Sequence, residues 1–558
     1  MTRNQKIIFW TLLGLAALLL FFRLGRQDML GDDGHYAARA LGYFDYMGSL
    51  KQTTPIQWFG FRPAWSYLSF HDHPPLYFLT QNVIFSIFGD SVAVSRLISV
   101  FAALGSLAVI YLLARRFGGV MLGLLSMVAL IFNNYFIWTG RIGLLESLMV
   151  FLMLAGLLFL MKGLQVASKY FIWAGLFFGL ALLTKYSVLF VLPAVIIYLL
   201  WHERQVFRQK YFWIGAAVFL ILLTPLVIYN LNMYETRGHF DVQISDLLGQ
   251  RHDDWTLLQS RVGGAHFAFQ EFVLRLAQGV SWPYFLLFIA AVLAALYSVA
   301  RRRKMWLCLP LLCVAISSTL LTYVGSSAGW LGILSPFAAL LLAAFWEPFF
   351  TNRAIFSLAA LLFIYLSVFI FYTNHSVGPS DYSVLSSSLR RENLGYNQLD
   401  GYISELMGGK IIPYKTREAV GQLWFNKVNP EALPFLKAKI EVFPFNPLFV
   451  YDDNTNWFPM NWLFGRYRNY NGVPSMTVSE LAKLKSDPSG QAIVDYLNFE
   501  EVYYIHVAND VGGQDGDDFV EYVDIKEQYE AREVRPDVIR DLQGREAFYI
   551  YHSPKIRL

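Results

Sequence analysis

Residues 75–88 read PLYFLTQNVIFSIF, and whether this stretch crosses a bilayer decides how the whole chain is threaded. It is apolar on average, yet as a helix it reaches only about 21 Å, short of the ~30 Å of a bilayer core. Thr80, Gln81 and Asn82 sit in its middle. Around it lie eleven other apolar runs, at about 7–22, 92–114, 119–138, 143–161, 170–184, 187–201, 211–230, 283–300, 305–324, 329–346 and 354–373. Charge separates the two readings. If 75–88 does not cross, then Arg3, Lys6, Arg115, Arg116, Lys162, Lys169, Arg204, Arg208, Lys210, Arg301, Arg302, Arg303, Lys304 and Arg353 share one side. The short loops of the other side keep only Arg141 and Lys185. If it crosses, nearly all of those clusters move outside, against the Lys and Arg excess of cytoplasmic loops. Residues 75–88 therefore read as an interfacial or re-entrant helix, with the N-terminus cytoplasmic and the C-terminus outside.

Composition agrees. The 558 residues are 56% hydrophobic and only 15% charged, where soluble domains run near a quarter charged, so a wholly water-soluble enzyme is excluded. A net charge of +4 gives no ground for nucleic-acid binding. Cys308 and Cys313 lie inside one apolar run and form no disulfide framework. The first run follows Arg3 and Lys6 like a secretory signal, but Phe21-Phe22-Arg23 follows where small residues would mark cleavage, so it reads as a retained helix. The expected architecture is a polytopic α-helical membrane protein of about eleven spans over residues 1–375, with external loops at 23–91 and 231–282. A soluble extracytoplasmic α/β or α+β domain follows over 376–558. There, short β-like runs (Pro447 to Tyr451, Val502 to Val507) alternate with helical ones such as Val478 to Lys485.

Several polar groups are not explained by spanning a membrane. Asp32 and Asp33 precede His35 just beyond the first span, a grouping suited to proton abstraction or metal binding, the plain alternative being that either acid caps a helix. His71, Asp72 and His73 precede Pro74-Pro75; a His-x-His pair around an acid can bind a divalent ion, but neighbours in sequence need remote ligands to complete a site. Arg141 and Glu146 bracket a tight turn, where the carboxylate sits at a helix N-terminus that favours an anion. Lys185, in Leu183-Thr184-Lys185, would snorkel to headgroups or hold a lipid phosphate. Topology carries all four groups to one external face. Trp457, Phe458, Met460, Trp462, Phe464, Tyr467 and Tyr470 crowd one stretch of the C-terminal domain, read either as a sugar-stacking face or as core packing.

These motifs together resemble the GT-C glycosyltransferases that use polyprenyl-phosphate sugars, in particular the group of protein O-mannosyltransferases and lipid A aminoarabinose transferases. Asp32-Asp33-Gly34-His35-Tyr36 resembles the family's Asp-Glu-x-x-Tyr, and His73-Pro74-Pro75-Leu76 its His/Lys-Pro-Pro-Leu. Arg141 to Glu146 resembles its Arg-x-x-x-x-Asp, and Leu183-Thr184-Lys185 its Leu-Thr-Lys. The late Arg-Tyr-x-x-Pro pattern is degraded to Gly329-Trp330-Leu331 before Ser335-Pro336, with no equivalent cation. The resemblance covers roughly residues 5–350 and implies an inverting transfer of one sugar from a polyprenyl phosphate to a lipid, glycan or protein acceptor. Asp32 matches the catalytic base, and Asp33 and Glu146 are its companion acids, Glu146 orienting the acceptor or Arg141. Lys185, His73, His35, Arg96 and Arg141 are the expected donor-phosphate cations. No cofactor is required on this reading, with a divalent ion at His71, Asp72 and His73 as the open alternative. The expected setting is a prokaryotic plasma (inner) membrane, the chain closing on Lys555-Ile556-Arg557-Leu558 without a retention motif. The rival reading is a transporter or flippase of lipid-linked sugar. Internal repeats and midplane charges would mark it, and the sequence shows neither.

Overall fold

The structure is a computed structural model that describes residues 2–41, 73–248, 250, 269–325, 327–349, 353–379, 383–408, 447–467, 473–486, 501–508 and 520–554. Contacts divide the chain into two compact units. One comprises Met1–Leu24, Phe70–Ser376 and Ser380–Arg391; the other comprises Gly25–Ser69, Val377–Pro379 and Glu392–Leu558. The second unit thus takes in the start of the first loop, so the division follows contacts across the sequence rather than the composition change near residue 376.

In chain order the helices of the first half are α1 (Arg3–Phe21), α2 (Asp32–Ala40), α3 (Leu76–Phe88), α4 (Leu97–Ile131), α5 (Asn134–Arg141), α6 (Leu145–Gln165), α7 (Tyr170–Leu182) and α8 (Leu192–His202). There follow α9 (Lys210–Arg237), α10 (Val242–Leu248), α11 (Phe269–Val280), α12 (Trp282–Ala300), α13 (Cys308–Val324), α14 (Ser335–Trp346), α15 (Arg353–His375) and α16 (Tyr396–Met407). All but α2 and α16 belong to the first unit.

Among the described residues, eight helical stretches are long and apolar enough to cross a membrane, and three shorter apolar ones accompany them, Leu76–Phe88, Tyr170–Leu182 and Tyr186–His202. The chain is a multi-pass membrane protein. Of residues 75–88, Leu76–Phe88 form an apolar helix of 13 residues, the same length as Tyr170–Leu182. The two expected runs at 92–114 and 119–138 correspond to the two halves of α4, which is broken at Gly119, whose φ of +86° interrupts the helical backbone; the end at 138 needs correction. The second half of α4 stops at Ile131, because Asn133 accepts from the Phe136 amide at 3.1 Å and starts α5 as a separate short helix. Helix α7 crosses α9 with Gly175 and Gly215 so close that a Cβ on either would overlap the other's surroundings, the small-residue approach by which apolar helices pack in lipid. On α15, Leu358, Leu361, Ile364, Val368 and Phe371 are exposed at helical spacing, a stripe suited to acyl chains.

The second unit is built on a five-stranded mixed sheet ordered β2-β1-β3-β5-β4. Its strands are β1 (Pro447–Tyr451), β2 (Ser475–Thr477), β3 (Glu501–Val507), β4 (Asp537–Arg540) and β5 (Glu546–Pro554). β1 pairs parallel with β2 and β3, and β5 runs antiparallel to β3 and β4. Strand alternation feeds two cores. Phe449, Tyr451, Tyr503 and Ile505 face one with α16 residues Leu399 and Ile403. Leu448, Val450, Val502 and Tyr504 face the other with Leu481 of a helix over Val478–Ser486 and Tyr529 of one over Val520–Ala531. The aromatic crowd begins with a short helix, Trp457–Met460, continued by a π-helical turn, Asn461–Gly465. Met460, Leu463, Phe464 and Tyr467 fill the first core.

Candidate active site

The candidate residues divide between the two units, and each group is described on its own. In the membrane unit, Lys185 Nζ donates to Glu146 Oε1 at 2.5 Å, and both side chains are 3% exposed. Sequence reasoning set Glu146 toward Arg141; the structure pairs it with Lys185. Helix geometry explains the choice: Glu146 opens α6, while Lys185 ends the turn after α7, directly after Thr184, whose hydroxyl bonds back to the Leu180 carbonyl at 2.9 Å. Gly329 leaves room for the carboxylate, since a Cβ there would collide with Glu146 Oε1. The Trp330 ring lies 5.8 Å from Lys185 Nζ, within range of a cation–π contact. The degraded Gly329-Trp330 motif therefore contributes space and an aromatic face where a cation was sought. Glu146 Oε2 has no hydrogen-bond partner among the described residues, and an ammonium has three N–H bonds to give.

Arg141 is committed to backbone. Its Nη1 donates to the carbonyls of Leu19 at 2.6 Å and Leu20 at 2.9 Å, and its Nη2 to that of Phe22 at 2.9 Å, serving carbonyls that the end of α1 leaves unpaired. Arg96 Nη1 donates to the Leu24 carbonyl at 2.7 Å. The two guanidinium charges oppose each other, and Gly143, at φ +72°, packs against the Arg96 side chain. His73 Nε2 lies 2.9 Å from Gln243 Nε2. An amide nitrogen only donates, so the ring presents an acceptor there. Leu76 N bonds the Leu183 carbonyl at 3.0 Å, tying the start of α3 to the turn that carries Lys185.

One network escaped the sequence reading. Tyr186 donates to Asp241 Oδ2 at 2.5 Å, Asn230 Nδ2 donates to the same oxygen at 3.0 Å, and the Asp241 amide returns a bond to Asn230 Oδ1 at 2.9 Å. It pins residues ahead of α10 beside Lys185, and no local spacing marks it, because its members are 55 and 11 residues apart.

In the second unit, α2 carries the acid pair. Asp32 is exposed, whereas Asp33, His35 and Arg39 are buried. His35 Nδ1 accepts from Asn461 Nδ2 at 2.6 Å. Asn461 was hidden inside the aromatic crowd. His71 and Asp72 lie outside the described residues, and so does any metal site they would complete; among the described residues no group of three His, Cys, Asp or Glu could hold an ion.

Residues 72–229 match the family model for dolichyl-phosphate-mannose-protein mannosyltransferase. Along the whole chain, the crystal structure of ArnT from Cupriavidus metallidurans in the apo state is similar at a TM-score of 0.56 and 14% identity, covering 97% of each chain. The same protein bound to undecaprenyl phosphate is similar at a TM-score of 0.57 and 14% identity, covering 99% of this chain and 98% of ArnT. The chain has the GT-C fold. No curated protein matches it by sequence. Within the GT-C fold, the family match holds His73, Arg96, Arg141, Glu146 and Lys185 and begins beyond Asp32 and Asp33.

Proposed function

We propose that the chain is an integral membrane glycosyltransferase that moves a single sugar from a polyprenyl phosphate to an acceptor outside the cytoplasm, with inversion at the sugar carbon. The observation that supports this most is the mannosyltransferase family match over 72–229, the stretch that contains the buried Lys185–Glu146 pair. In this reading Asp32, the exposed acid of α2, takes the proton of the attacking acceptor hydroxyl, a contribution on the order of 10²- to 10⁴-fold. Lys185 carries charge toward the departing lipid phosphate, acting as a preorganised cation that favours the leaving group. Glu146 holds Lys185 in place, and His73, Arg96 and Arg141 are the polar and charged groups of the same unit that accompany it. Acceptor oxygen bonds to the anomeric carbon as the carbon–oxygen bond to phosphate breaks, and the proton passes to Asp32. Cations suffice for such a leaving group, so transfer is expected to persist in chelator.

The test is turnover by the purified protein in detergent, offered polyprenyl-phosphate sugars with lipid, glycan and peptide acceptors. Sugar transfer that disappears in Asp32→Asn, with the variant still folded and membrane inserted, supports the reading. Near-normal turnover by Asp32→Asn removes Asp32 from the mechanism, and a wild-type protein inert to every donor favours the flippase alternative.

A further inference from the structure

Helix α2 is nine residues long, below the ~12–15 residues at which an isolated helix holds its own shape in water. Its orientation must come from what it packs against. Turning it by one residue, about 100°, would exchange the exposed Asp32 for the buried Asp33, so the packing decides which acid is offered.

The partners of α2 come from the far end of the sequence. Leu30, just before it, packs on the core that holds Leu399, Met460, Phe464 and Phe548. Asp28 is fully buried. Its Oδ1 accepts from Asn393 Nδ2 at 3.1 Å and the Asn397 amide at 3.0 Å; its Oδ2 accepts from the amides of Leu394 at 2.5 Å and Tyr396 at 3.2 Å. These amides open α16, so a carboxylate of the first loop serves the N-terminus of a helix 366–369 residues away. Along α2 itself, a Cβ on Gly34 would stand 2.8 Å from the Phe458 carbonyl oxygen and 3.1 Å from Met29 Cβ. The His35 ring lies 5.1 Å from that of Trp457, with Asn461 donating to its Nδ1. A ring whose Nδ1 accepts carries its proton on Nε2, so Asn461 selects the tautomer as well as the ring angle. Asn461 begins the π-helical turn, a rare geometry that is frequent at functional sites.

We infer that Asn461, Gly34 and Asp28 are positioning residues for the acid pair: the C-terminal sheet domain, through Trp457–Gly465 and the start of α16, fixes the rotation of α2 that offers Asp32 and buries Asp33. The inference rests on the proposed role of Asp32. It gives the aromatic crowd a part in the reaction other than stacking on sugar.

The experiment uses the full chain in detergent and reads hydrogen exchange and steady-state kinetics on the same samples. Asn461→Leu and Gly34→Ala are expected to speed amide exchange over residues 32–40 at least tenfold while residues 145–165 are unchanged. Their kcat per folded molecule falls at least tenfold, with the KM for polyprenyl-phosphate sugar within twofold of wild type. Should Asn461→Leu fail to fold, Trp457→Leu, at a ring that is 48% exposed, is the milder variant, with three- to tenfold loss of kcat expected. Unchanged exchange over 32–40 overturns the docking. Faster exchange with normal kcat per folded molecule overturns the positioning role, as does a rise in donor KM that matches the loss in kcat. A wild-type protein inert toward every donor ends the functional reading and the positioning role together, while the exchange data still decide the docking.

Discussion

At the scale of single residues, Lys185 and Glu146 form an ion pair with both side chains buried. Breaking such a pair from one side leaves a buried charge uncompensated, at about 3–5 kcal/mol, whereas replacing both members by apolar residues is often tolerated. Lys185→Met is therefore expected to lower the unfolding temperature clearly, and Lys185→Met with Glu146→Leu to recover most of that loss without recovering sugar transfer. Differential scanning in detergent checks the first and the turnover assay the second. Gly329→Ala should mimic the single break, because its methyl needs the volume that the Glu146 carboxylate occupies. Lys185 was legible in the sequence as an exception to the charge distribution across the membrane, and Glu146 as the carboxylate that opens an apolar run. Their bond was not, since its ends are 39 residues apart and Arg141 stood closer as a partner. Arg141 is instead drawn to the carbonyls at the end of α1, a demand for donors that no motif announces.

At the scale of elements, hydropathy located the helices well and their ends poorly. The run over 119–138 was apolar enough to continue to Trp138, but Asn133 captured an amide and ended it, a capping event that outweighs average hydropathy. In the sheet domain, the turn between β4 and β5 has a comparable anchor. Asp541 accepts from Arg545 Nε at 2.6 Å and from the amides of Gln543 at 2.8 Å and Arg545 at 3.0 Å. Burial works to raise its pKa, but the bond from the Arg545 side chain and then the two amide bonds outweigh it and hold the carboxyl below its usual range. A depressed carboxylate contributes stability that is fully present above its unfolded pKa, about 3.9, and that is lost as pH falls through the lower folded value. The β4–β5 hairpin is thus expected to loosen in that acid window, and Asp541→Asn to show the looser hairpin already at neutral pH. Amide exchange over 537–554 measures both.

For the whole molecule, the composition change near residue 376 correctly announced a sheet-bearing domain, including β1, most of β3 and the helix at Val478–Ser486. It gave no hint that Gly25–Ser69 group with that domain, because the joining contacts are made by Asp28, Gly34 and His35, whose partners lie hundreds of residues away. Removing residues 392–558 is consequently expected to abolish transfer and donor hydrolysis alike, rather than only acceptor choice. Product analysis of the truncated protein, recovered from membranes, tests this; retained hydrolysis would show that α2 needs no scaffold. The same arrangement bears on how the protein is made. His35 leaves the ribosome 426 residues ahead of Asn461, and at roughly 5–20 residues per second the acid helix waits on the order of 20–85 s for its partner. Throughout that interval the nascent chain carries a helix too short to hold itself, so synthesis of Asn461, rather than insertion of the last span, sets the earliest moment at which α2 can be docked.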